Sequence, residues 1–153
     1  MTGVIGTAVL DAWDDLYNYF KDNYGQNSGH SPEYGVLQGA SFLGSVQFPC
    51  IAIEYTGYVL DSTTKRGIVM SFNLWTLLQG DGVTDREAVK THCSIVDDAN
   101  THMRSENTSP TIETPQHGHV IGQNPFEIEF EGAGFLRIAR NQIEVKALIC
   151  GMD

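Results

Sequence analysis

The residues able to do chemistry are few and scattered along the chain. His117-Gly118-His119 is an alternating histidine pair, and His30, His92 and His102 stand elsewhere. Two imidazoles at alternate positions hold a transition metal only if a third or fourth ligand, often a carboxylate, converges on them. His92 and Cys93, with Asp97 one helical turn on, have the composition of a thiol–imidazole pair. Adjacent residues on a helix do not face each other, so His92 is badly placed to take the Cys93 proton. Asp97 and Asp98 read as a solvated helix surface. Cys50, Cys93 and Cys150 are odd in number and far apart, and the absence of a C-x-x-C pair excludes a zinc ribbon and a thioredoxin-type motif. They read as free thiols of a reducing compartment. No G-x-G-x-x-G, Walker loop or G-x-S-x-G occurs, and Gly132-Ala133-Gly134 reads as a turn or bulge. The expectation is therefore a protein that is not an enzyme, with no catalytic residues, no cofactor and no metal ligand set. It should act by binding or assembling.

One pattern has a use without bond chemistry. Glu127, Glu129 and Glu131 alternate with Phe126, Ile128 and Phe130. On a strand, such glutamates share one face at a spacing of about 7 Å. That face is either the wet side of a half-buried strand or an acidic wall lining a space that anions traverse.

Bulk composition narrows the partners. The chain has 153 residues, the size of one domain, and is 41 % hydrophobic, enough to exclude wholesale disorder. Nine Lys and Arg against nineteen Asp and Glu leave a net charge of -10. This balance opposes docking on nucleic-acid phosphates, which needs Lys and Arg to displace counterions, and opposes binding to an anionic membrane surface. It leaves room for a protein past which DNA slides without sticking, since like charges keep the two apart. No run of about 18 apolar residues exists to span a membrane. The short apolar stretch near Val4 lacks a preceding basic segment, so no signal peptide is expected, and Asn107-Thr108-Ser109 is then no glycosylation site.

The elements that must position these residues follow from periodicity. Ile5, Ala8, Val9, Ala12, Trp13, Leu16, Tyr17, Phe20 and Tyr24 recur at helical steps, with Asp11, Asp14, Asp15, Asn18 and Asp22 opposite, and Gly25 marks the stop. Residues 25–45, rich in Gly, Ser, Asn and Gln, predict a long loop in which Tyr34, Val36 and Leu37 are the apolar points. Val46 to Leu60 and Ile68 to Leu78 predict a β-hairpin across a polar turn at 61–67, with Pro49 near its start. Thr84-Asp85-Arg86-Glu87 has the form of a capping box opening a helix. Its inner face should carry Ala88, Val89, His92, Cys93, Val96, Ala99, Asn100 and Met103. Residues 105–125, with Pro110, Pro115 and Pro125, predict a second long loop holding His117 and His119. Strands over 126–131, 135–139 and 143–149 close the chain, with a turn at Arg140-Asn141-Gln142. The sum is one α+β domain over 1–153, a mostly antiparallel sheet with two helices packed on one face, in the order α-β-β-α-β-β.

This order resembles the small α+β fold of the tail-terminator and tail-completion proteins of long-tailed phages. The matching stretches are the helix through Val9, Trp13 and Leu16, the hairpin from Val46 to Leu78, the helix from Thr84 to Met103 and the closing strand Ile143 to Ile149. The resemblance is one of topology and carries no signature residue. It implies a virion structural protein: a hexameric ring at the tail or head–tail junction, assembled in the host cytoplasm, bonded to further copies and to other tail or connector proteins, and letting DNA pass. Head–tail connectors and tail-tube subunits are related in fold and give the neighbouring reading. The loops bearing Tyr34, Val36, Leu37, His117 and His119 would be interface arms, and Glu127, Glu129 and Glu131 the channel wall. The alternative from another class is a small cytosolic metal-binding protein or enzyme using His117, His119 and a carboxylate, which stoichiometric bound metal would reveal.

Overall fold

The computed structural model describes residues 3–40, 47–60, 67–79, 85–105, 112–131 and 134–149. In chain order these form α1 (Val4–Tyr24), β1 (Gly35–Gln38), β2 (Cys50–Leu60), β3 (Gly67–Gln79), α2 (Asp85–Ser105), β4 (Ile112–Glu131) and β5 (Gly134–Ile149). The fold is α+β, and its five-stranded sheet has the order β1-β2-β3-β5-β4. Only the β1–β2 pair is parallel; β2–β3, β3–β5 and β4–β5 are antiparallel.

Each helix lays an apolar stripe on the same side of the sheet. On α1, Ala8, Ala12, Leu16, Phe20 and Tyr24 recur every four residues and are buried. On α2, Ala88, Ile95, Val96, Ala99 and Met103 share one helical face and are buried as well. Both stripes join one cluster with Ile51 and Ile53 of β2, Ile68, Met70, Phe72 and Leu74 of β3, and Ile143 and Val145 of β5. The period of two along the strands puts these residues on one face. Burying each large side chain contributes about 1.5–3 kcal/mol, which is what seats the helices. The face away from the helices holds a smaller cluster of Cys50, Leu77 and Ile138, which are cross-strand neighbours, with Leu37, Phe48 and Trp75 partly buried against it.

Gly25 ends α1 by close approach. Its φ of -79° suits any residue, but a Cβ there would stand 2.6 Å from the Lys21 carbonyl oxygen, which accepts the Gly25 N–H at 3.1 Å. The predicted helix and hairpin spans agree with α1, β2 and β3 to within a few residues.

Several expectations need correction. The first long loop contains β1, a four-residue strand that adds one β to the expected order, so Val36 and Leu37 belong to the sheet. The second predicted loop is strand from Ile112 onward, so His117 and His119 lie within β4. Gly118, Gly122 and Pro125 coincide with irregular pairing, since the β4–β5 register shifts at Gln116/His119, Ile121/Gln123 and Asn124/Glu127. Such bulges accommodate residues that a regular ladder rejects, whereas Pro115 pairs in register with Ala147 on this edge strand. No turn occurs at Arg140-Asn141-Gln142, because β5 runs through it without interruption. Val89 and Cys93 face outward on α2, leaving His92 and Ile95 inside. The turn residues 61–66, the cap Thr84, Gly132-Ala133 and Cys150 lie outside the described residues.

Candidate functional site

Three polar arrangements stand out from the apolar frame, and each is set by the elements beneath it. The first is inside. Thr76 of β3, His92 of α2 and Asn141 of β5 are the buried polar residues of the described core, at 0 %, 5 % and 3 % exposure. His92 Nδ1 is 2.8 Å from Thr76 Oγ1, and His92 Nε2 contacts Asn141 Oδ1. The Asn141 carbonyl oxygen can only accept, so Nε2 carries the proton and donates; Nδ1 then accepts the Thr76 hydroxyl. Burial holds the imidazole pKa below its ordinary value, and the Asn141 contact opposes that shift. Hydroxyl, imidazole and amide resemble a nucleophile, base and orienting group, but Thr76 has no access to any substrate. The arrangement ties α2 to β3 and β5 through satisfied hydrogen bonds, which a buried polar group requires.

The second arrangement is the seam between the helices. Tyr24 donates its hydroxyl to Asp98 Oδ2, and His102 Nε2 lies 2.9 Å from Asp15 Oδ2. The His102 ring stacks on Tyr19 with centroids 4.2 Å apart. Desolvation first, and the Asp98 contact second, push the Tyr24 phenol well above its ordinary pKa. Tyr24 also meets Tyr34 edge-on at 5.5 Å, and the Tyr34 N–H donates to the Tyr24 carbonyl at 2.8 Å. Tyr34 is therefore core, not an interface arm. Val36 packs on the main cluster and Leu37 on the smaller one.

The third is the face of the sheet opposite the helices. Glu54 Oε1 accepts from Asn73 Nδ2 at 2.8 Å and from Trp75 Nε1 at 3.2 Å. The Arg140 guanidinium lies 5.3 Å from the Trp75 ring centroid, a cation–π contact between residues directly opposite in register. Gln142 continues the row beside Asn73, and Glu144 stands beside Ser71. This surface is polar, half-exposed and held in place by its own hydrogen bonds. Along β4, the backbone register sets Glu127 opposite Ile138, Glu129 opposite Leu136 and Glu131 opposite Gly134.

These arrangements offer no exposed, activated nucleophile among the described residues. Burial raises the Cys50 thiol to about 11, so it is neither a thiolate nor reachable. Cys93 is exposed on α2, one residue past the inward-facing His92. No group of three or more His, Cys, Asp or Glu converges among the described residues. No helix among them is long and apolar enough to cross a membrane.

The sequence did not point to Thr76, Asn141, Asp98 or the Glu54–Asn73–Trp75 row. The usable signal was a histidine on the inner stripe of α2, since a buried imidazole requires partners on the strands below it. A comparison of the sequence with protein-family models returns no match, and a comparison with curated proteins returns none.

Proposed function

We propose that this chain is a virion structural subunit of the tail-terminator or tail-completion type, which assembles into a ring at the tail or head–tail junction and lets DNA pass. The observation that carries this reading is the two-sided sheet. One face is sealed by both helices. Among the described residues, the other presents the polar row of Glu54, Asn73, Trp75 and Arg140 and a small apolar cluster at one end. Such a half-wet wall suits a subunit whose work is contact with neighbours.

Charge supports the same reading. A net charge of -10 repels DNA phosphates, so a ring of such subunits keeps its channel free of adhesion. The glutamates of β4 lie at the sheet edge opposite β1, where a repeated subunit would set them in a belt.

The test is the mass of the purified protein in solution over a range of concentration, followed by negative-stain electron microscopy. A closed ring of several copies with a central hole is expected. A particle that keeps the mass of one chain at every concentration, or a two-copy particle with no hole, overturns the proposal.

A further inference from the structure

A cavity of about 450 Å³ lies where β3 ends and α2 begins, a size typical of small-molecule sites. Pro32, Pro49 and Leu78 give it apolar walls, with Tyr34 among them. Gln79 of β3 and Lys90 and Thr91 of α2 supply a polar rim. The segment that carries Tyr34 is fixed to its surroundings. The Tyr34 N–H donates to the Tyr24 carbonyl at 2.8 Å, and the Gly35 N–H donates to the Pro49 carbonyl at 2.9 Å. The Tyr34 ring meets Tyr24 and His30 edge-on, each at 5.5 Å between centroids.

The ring is held, but its polar end is not satisfied. Tyr34 is 5 % exposed, and among the described residues its hydroxyl makes no hydrogen bond. Nor is that hydroxyl sealed in, since the fully enclosed side-chain atom left without a partner among the described residues is Asn100 Oδ1. The hydroxyl therefore opens outward, and the open space that Tyr34 lines is this cavity. Polar groups this deep are ordinarily hydrogen-bonded, so a donor aimed into a cavity calls for an acceptor that enters it. Burial holds the phenol above its ordinary pKa, so it keeps its proton and can donate.

The rest of the lining selects the acceptor. Lys90 is exposed, and its ammonium has no partner among the described residues. The Thr91 hydroxyl and the Gln79 amide add donors beside it. Glu87, the carboxylate of this lining, is already engaged by a neighbour. A net charge of -10 disfavours any polyanion, so the acceptor is small and carries a single charge. We propose that the cavity binds a small monocarboxylate with an apolar body. The Tyr34 hydroxyl donates to a carboxylate oxygen, Lys90 offsets the charge at the mouth, and the body rests on Pro32, Pro49 and Leu78. Charge-assisted hydrogen bonds of this kind are stronger than neutral ones, and the apolar walls choose among acids. This site is independent of the ring and stands or falls separately.

The experiment titrates the full chain with phenylacetate at pH 7.5, following backbone amides by NMR, with phenylacetamide as the uncharged control. Saturable shifts confined to residues 32–35, 78–79 and 87–91 are expected, and the amide should bind about tenfold more weakly. Tyr34→Phe keeps the ring and removes the donor; it should weaken phenylacetate binding about tenfold with an unchanged far-UV spectrum, the loss of one hydrogen bond to a charged group. Lys90→Gln should weaken binding as well, and Lys90→Arg should retain it. Absence of saturable shifts, equal binding of acid and amide, or shifts on other surfaces overturns the proposal. So does a folded Tyr34→Phe variant that binds phenylacetate as the wild type does.

Discussion

His92 Nδ1 on α2 lies 2.8 Å from Thr76 Oγ1 on β3, and both residues are buried. The imidazole is thereby held between two strands, with Asn141 of β5 on its other nitrogen. Its folded pKa lies below the ordinary 6.5 because burial disfavours the cation. As pH falls, the unfolded chain takes up this proton first. The stability the group supports is therefore complete above 6.5 and is lost as pH drops below 6.5 toward the folded pKa. Urea unfolding at pH 7.5 and 5.5 should show the wild type losing stability at the lower pH. His92→Leu should flatten that part of the profile and cost about 1–3 kcal/mol at pH 7.5, because Thr76 and Asn141 lose this partner. A profile unchanged by the substitution would remove His92 from its cause.

The thiols test the rotation of α2 and the depth of β2. Cys50 is buried, with its pKa raised to about 11, and Cys93 is exposed. In a Cys150→Ser background at pH 8, a thiol reagent should label Cys93 at once and Cys50 only after unfolding. Prompt labelling of two thiols in the native protein would contradict the packing of β2.

Trp13 fastens α1 to the sheet by donating its indole N–H to the Ile53 carbonyl at 2.7 Å. The same carbonyl accepts the Gly39 N–H at 2.8 Å. Removing the indole donor therefore leaves no orphaned acceptor, and the loss is that of an ordinary hydrogen bond. Trp13→Phe should cost about 0.5–1.5 kcal/mol beyond the lost ring area, measured by denaturant midpoint at constant slope. Gly25→Ala should cost about 1–3 kcal/mol, because a backbone oxygen 2.6 Å from the new Cβ has to move. A Gly25→Ala variant as stable as the wild type would contradict this account of how α1 ends.

Periodicity alone makes α1, β2 and β3 legible, because each has one wet and one dry side. β1 is hidden by its brevity: four residues, parallel to β2, placed after a stretch of glycine, serine and asparagine. β4 reads as loop because Pro115, Pro125, Gly118 and Gly122 are breakers in a regular ladder, and neither the edge position that tolerates Pro115 nor the bulges at the other three leave a trace in composition. Asn141 reads as a turn residue for a related reason. A buried asparagine in a strand makes sense only beside the residue that satisfies it, and His92 is 49 positions away. Local helix geometry already disfavours a His92–Cys93 pair, whereas His92's partners Thr76 and Asn141 are distant in sequence. The glutamate alternation on β4 is equally legible; under the ring proposal, what faces it is set by contacts between copies.

That last point gives the sharpest test of the channel reading. Glu127, Glu129 and Glu131 occupy alternate positions near the end of an edge strand. Carboxylates that line a channel would contribute little to stability, since surface charge pairs are worth about 0–1 kcal/mol. Replacing all three with glutamine should therefore leave the melting temperature within a few degrees of the wild type and leave the oligomer's mass unchanged. If the belt keeps DNA from adhering, particles assembled with the triple variant should form normally and release DNA more slowly, with the defect relieved by salt that screens the phosphates. Unchanged infectivity with normal assembly would sink the channel role of the glutamates. A variant that fails to assemble would instead place them at the contact between subunits.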